Sequence, residues 1–128
     1  MQKIFLTIGS IAAALAVILG AFGAHALKEK LSPEQLQVFD TGVRYQFYHA
    51  FALLILGLLA EKYNSTFLNY SGYLFMAGII LFSGSLYLLS TKNLFGIESW
   101  KFLGPITPLG GLCFIVGWAL LVITVMKK

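Results

Sequence analysis

The sequence predicts an all-α polytopic membrane protein. Four transmembrane helices form a compact bundle, with an amphipathic helical connector between spans one and two. Hydrophobic residues make up 59% of the 128 and charged residues 11%, and the mean hydropathy is +0.85. A soluble domain of this size carries about 25% charged residues. The apolar residues gather in four runs, each able to supply the ~20 residues a crossing needs. Most of the charge falls in the short connectors between them. The whole chain, 1–128, reads as a single integral membrane domain.

The first span is read over residues 4–26. Lys3, the apolar run and Ala24-His25-Ala26 imitate a signal peptide with its cleavage site. A signal's apolar region, however, has about 7–15 residues. This run is longer and is followed by further spans, so it is expected to remain as a helix. Gly9, Ala13, Ala16, Gly20 and Ala24 mark one side of it. Small residues let helices approach closely in lipid, within one chain or between copies. Four helices alone enclose little volume, so a homo-oligomer is expected.

The connector that follows carries a helix start. Ser32-Pro33-Glu34-Gln35 offers a serine cap, proline at the first helical position, an acid in the first turn and a glutamine to complete a capping box. Leu36, Phe39, Val43 and Phe47 then recur at spacings of three and four. A helix begun at Pro33 runs on into the second span, its first turns on or above the membrane surface.

The second span, 41–60, is the most informative. Its wholly apolar part, 50–60, is eleven residues long. Such a helix covers roughly 16 Å of a hydrocarbon core about 30 Å thick. To cross, the helix must reach back to about Thr41, which draws Arg44, Gln46 and His49 into the bilayer. Polar side chains there are costly and point to function by default.

The third span is read over 67–90, with small residues Gly78, Ser83, Gly84 and Ser85, and the fourth over 102–126. Trp100, Tyr63 and Tyr70 fall near interfaces, where amphipathic rings settle. Pro105, Pro108, Gly110 and Gly111 near the head of span four admit two readings. They mark a broken helix lining a cavity, as in transporters, or a plain helix start with Pro105 at its first position.

Connectivity alone places His25, Asp40, Arg44, Gln46, His49, Tyr87 and Thr107 toward one membrane face, side A. These form the candidate ligand site. Asp40 and Arg44, four apart, suit an ion pair. Gly42, Gln46 and His49 share a helix face. Arg44 suits bidentate binding of a carboxylate, phosphate or lipid head group, and either histidine suits proton transfer. In the plainer reading Arg44 snorkels to the interface and the histidines bond carbonyls across helices.

Other chemistry has little to stand on. Two distant histidines and the lone Cys113 make a poor metal set, and neither a phosphate loop nor a nucleophile motif is present. No metal, cofactor or nucleic-acid partner is expected. The basic residues are scattered, although Lys127-Lys128 suit anionic lipid. Asn64-Ser65-Thr66 fits a glycosylation sequon, which matters only if that turn faces a secretory lumen.

Gly20-Ala-Phe-Gly-Ala-His-Ala-Leu-Lys28, Phe39-Asp-Thr-Gly-Val-Arg-Tyr-Gln-Phe-Tyr-His-Ala50, Phe82-Ser-Gly-Ser-Leu-Tyr87 and Ile106-Thr-Pro-Leu-Gly-Gly111 with Gly117-Trp118 occur in order. In these motifs the chain resembles an uncharacterised family of small four-span membrane proteins that includes bacterial YgdD and YwdK and eukaryotic transmembrane protein 256. The resemblance covers nearly the whole chain and implies four membrane helices. It implies no activity, cofactor or catalytic residue.

The leading expectation is a non-enzymatic, multi-pass protein of the bacterial plasma membrane that binds a small ligand, lipid head group or partner at the side A cluster. The alternative is a small-solute or proton-linked transporter. Positive charges tie across the membrane once the N-terminus is included, with Lys28, Lys30, Arg44, Lys92 and Lys101 on side A against Lys3, Lys62, Lys127, Lys128 and the N-terminus on side B. With Arg44 inside the bilayer, the balance moves toward cytoplasmic termini.

Overall fold

The computed structural model describes residues 1–127. The fold consists of helices α1 (Gln2–His25), α2 (Pro33–Leu59), α3 (Thr66–Phe95) and α4 (Leu103–Lys127), each long and apolar enough to cross a membrane. The four expected spans are all present. Ile18, Ile80, Ile115 and Val122 are more than half exposed, an outer surface that suits lipid rather than water.

Local signals set the helix ends. The Gln35 N–H donates to Ser32 Oγ at 3.2 Å, and the Ser32 N–H donates to Gln35 Oε1 at 2.9 Å, which closes the expected capping box. Helix α2 then runs unbroken to Leu59. Its 27 residues extend about 40 Å, more than the hydrocarbon needs, so its first turns project on side A. Ser65 caps α3 by accepting the Phe67 N–H at 3.2 Å. Gly96 ends α3 in the left-handed region, at φ +66°, where a residue without Cβ is favoured.

The fourth span differs from the broken-helix reading. Helix α4 is continuous from Leu103, with Pro105 in its first turn and Pro108 inside it. Pro105 lies among the four leading residues whose N–H groups lack intrahelical partners anyway. Pro108 withholds a donor only from the carbonyl four residues back, and that residue, Gly104, is exposed at the helix end. The chain therefore does not break at Pro105, Pro108, Gly110 or Gly111.

The irregularity lies in α3 instead. Residues Ile79–Ser83 form a π-helical segment. Gly110 of α4 faces it so closely that a methyl group there would meet the backbone of Phe82.

Two apolar clusters fill the bundle. Phe5, Leu53, Leu56, Leu68, Phe75 and Phe114 form one. Ala16, Leu27, Leu31, Phe39 and Val43 form the other, at the side A end. Aromatic rings seat in glycine notches on neighbouring helices: Phe5 on Gly72, Phe39 on Gly23, Tyr87 on Gly42, Phe75 on Gly117 and Phe114 on Gly78. In lipid, where no hydrophobic force drives helices together, this close fit supplies dispersion contact. Within the small-residue stripe of α1, Gly9 and Gly20 also face α2, at Ala50 with Leu54 and at Val43.

Candidate functional site

Gln46 and His49 of α2 point into the bundle, each 4% exposed. The Gln46 Nε2 group donates to the Ala12 carbonyl of α1 at 2.8 Å. Its Oε1 accepts the Tyr87 hydroxyl of α3 at 2.6 Å. One side chain thus ties three helices together.

His49 is held with equal definition. The Trp118 indole N–H donates to His49 Nε2 at 3.1 Å. An indole donates only, so Nε2 carries no proton and the ring is neutral. The proton sits on Nδ1, which donates to the Tyr45 carbonyl at 2.8 Å. The imidazole stacks on Phe114, with ring centroids 3.5 Å apart and planes at 8°.

Hydroxyl groups strap the remaining contacts. Ser83 Oγ donates to the Gly42 carbonyl at 2.7 Å, and Ser71 Oγ donates to the Gly117 carbonyl at 2.7 Å. Ser85 and Thr107 share a hydrogen bond of 2.5 Å between α3 and α4. Among the described residues, every buried side-chain nitrogen and oxygen has a partner.

The other candidate residues lie elsewhere. Arg44 Nε and Asp40 Oδ2 form an ion pair of 3.0 Å, with the side chains 51% and 63% exposed. The pair occupies the outer face of α2, away from Gln46 and His49. His25 is exposed at the end of α1. The structure brings Gln46 and Tyr87 together, sets His49 one turn away and joins Thr107 to Ser85. His25, Asp40 and Arg44 do not take part. Trp118 and Ser71 were not among the expected site residues. A hydroxyl or indole inside an apolar run is the signal that marks them. No set of three or more metal-binding side chains occurs among the described residues.

Two clefts open at the side A end. One, of about 470 Å³, separates the C-terminal ends of α1 and α3, with Leu19, Phe22, Leu27, Tyr87, Leu88 and Phe95 among its lining. Lys30 is its one charged lining residue among the described residues. The other, of about 350 Å³, lies between α1 and α2 with Lys28 and Asp40 at its edge.

Four apolar helices joined by an internally satisfied polar core define a small polytopic membrane protein. The chain belongs to the DUF423 family, described as a protein of unknown function, whose model matches residues 19–111. It is similar to the UPF0382 membrane protein YwdK of Bacillus subtilis, at 46% identity over 98% of both chains. The UPF0382 membrane protein SAB0533 of Staphylococcus aureus is 45% identical over 98% of both, and a UPF0382 membrane protein of Staphylococcus epidermidis is 42% identical over the same share. No solved structure matches the chain.

Proposed function

We propose that this is a non-enzymatic, multi-pass protein of the bacterial plasma membrane that binds an anionic amphiphile at its side A end. The observation that carries the reading is the cleft of about 470 Å³ with an apolar floor and, among the described residues, Lys30 as its one charge. Ligand pockets span about 300–1,000 Å³ and pair an apolar lining with a few orienting polar groups. The Tyr87 and Thr91 hydroxyls in this lining already donate to Gln46 Oε1 and to the Tyr87 carbonyl. The Lys30 ammonium is therefore the group left to meet a head group. A lysine near the membrane surface contributes about 1 kcal/mol of attraction to acidic lipid. The cleft between α1 and α2 carries opposite charges, Lys28 and Asp40, and so offers no such preference.

A proton-linked carrier has less support. Both nitrogens of His49 are engaged within the protein, and Pro108 lies inside a continuous helix.

Native mass spectrometry in neutral detergent tests the reading, with phosphatidylglycerol, phosphatidylcholine and a long-chain fatty acid at equal concentration. The expected result is preferential retention of an anionic species. Losing Lys30 in Lys30→Gln should lower that retention about fivefold, the equivalent of about 1 kcal/mol. Filling the cleft with Ala26→Trp should remove it. Retained phosphatidylglycerol identifies a phosphate head group, and retained fatty acid a carboxylate. Equal retention of phosphatidylcholine, or indifference to both substitutions, overturns the reading.

A further inference from the structure

Asp40, Arg44, Tyr48, Phe51, Ile55 and Leu58 are all exposed and follow one another at spacings of four and three. They form one ridge along α2, on the side opposite the buried Gly42, Gln46, His49, Leu53 and Leu56. None of them lines the cleft assigned above to an amphiphile. Four of the six are large apolar or aromatic residues at 51–67% exposure. The remaining two are an acid and a base.

The charges give the ridge a specific complement. Counting ~20 residues back from the side B end at Leu59 reaches residue 40, so Arg44 lies about 6 Å inside the hydrocarbon boundary. An ionised side chain at that depth is costly unless paired. The pair within the chain engages Arg44 Nε and Asp40 Oδ2 at 3.0 Å, with Arg44 Nη2 3.4 Å from Thr41 Oγ1. A carboxylate accepts on two oxygens and a guanidinium carries five N–H donors, so both groups have bonding capacity beyond this one pair.

A two-fold axis brings a patch onto itself. Two copies of one orientation in the bilayer are related by an axis along the membrane normal, so their ridges run parallel and Asp40 of each copy sits about 6 Å along the helix from the level of the other copy's arginine, within reach of that long side chain. The rise of about 6 Å that lets Arg44 reach Asp40 on its own helix is the rise needed to reach the same carboxylate across the axis. Two copies would close a ring of four alternating charges with no net charge and remove it from lipid. Tyr48, Phe51, Ile55 and Leu58 extend the contact toward side B, and Phe47 stacks on Phe51 with ring centroids 5.7 Å apart.

We infer that the outer face of α2 is a homodimer interface, in which Arg44 of each copy pairs with Asp40 of the other.

Charge reversal in the full-length protein tests this, with dimerisation read by sedimentation of differently labelled copies in detergent. The wild-type protein is expected to dimerise. Asp40→Arg gives a ridge with two cations and Arg44→Asp a ridge with two anions, and each alone should associate at least tenfold more weakly. Mixed together, the two variants should recover association as a heterodimer, which a pair confined to one chain would not produce. A second measurement does not rest on these variants folding. In native membranes Tyr48→Cys, with Cys113→Ala, should form a disulfide between copies, whereas Ile115→Cys on the exposed face of α4 should not. A monomeric wild type, a dimer indifferent to both reversals, a mixture that fails to pair, or equal cross-linking at position 115 overturns the inference. Retention of an acidic lipid at Arg44 by a monomeric protein would do the same.

Discussion

The Trp118 indole N–H of α4 donates a hydrogen bond to His49 Nε2 of α2 at 3.1 Å, while the His49 Nδ1–H donates one to the Tyr45 carbonyl at 2.8 Å. The two bonds fix the tautomer and orientation of an imidazole inside a membrane helix. Phe114 stacks on one of its faces.

Trp118→Phe keeps an aromatic ring beside Phe75, now 4.8 Å away, but leaves Nε2 without its donor. The expected loss is about 1 kcal/mol, a typical value for a hydrogen bond between membrane helices, read as a lower unfolding midpoint in detergent. Nitrogen NMR of the wild-type protein should show the neutral ring protonated at Nδ1. A ring protonated at Nε2 would contradict the geometry.

Gln46 and Tyr87 should be energetically coupled. In a double-mutant cycle of Gln46→Leu and Tyr87→Phe, the coupling is expected at about 0.6–1.7 kcal/mol. Additive losses would mean that the 2.6 Å bond contributes nothing specific.

Gly110→Ala and Gly84→Ala should act in opposite directions. A methyl at Gly110 runs into the Phe82 backbone, whereas Gly84 has open space. Overpacking at Gly110 is expected to cost about 1–3 kcal/mol, while alanine at Gly84 should add up to about 1 kcal/mol through helix propensity. Steric-trap unfolding of the two variants checks both signs.

Gly96→Ala places a Cβ in the left-handed region at φ +66°. A cost of about 1–2 kcal/mol is expected, concentrated at the end of α3. Hydrogen exchange at Phe95 and Gly96 should accelerate, with little change in the middle of the bundle.

Helices are legible in this sequence where a local cause operates. Long apolar runs place the four spans, and Ser32 with Gln35 announces the start of α2 without any tertiary help. The π-helical stretch is not legible, because Ile79-Ile80-Leu81-Phe82-Ser83 contains no breaker. What distinguishes it is its meeting with Gly110 on another helix. Pro108 misleads in the opposite direction, since the carbonyl it deprives lies at an exposed end. The candidate site divides for a similar reason. Connectivity fixes the height of a residue in the membrane but not its direction around the helix axis. Arg44 and Gln46 sit at nearly the same level, yet one faces outward and the other inward. Gln46 and His49 were findable as polar residues in an apolar span, whereas Trp118 becomes visible as their partner only once α4 is packed beside α2.

The rings seated on Gly23, Gly42, Gly72, Gly78 and Gly117 have a mechanical consequence. A slide of a single residue, about 1.5 Å, would drive a ring out of its notch and against a neighbouring Cβ. Because these interlocks reach all four helices, shear between them is resisted. A bilayer that thickens or thins would then be met by tilting the bundle as one unit.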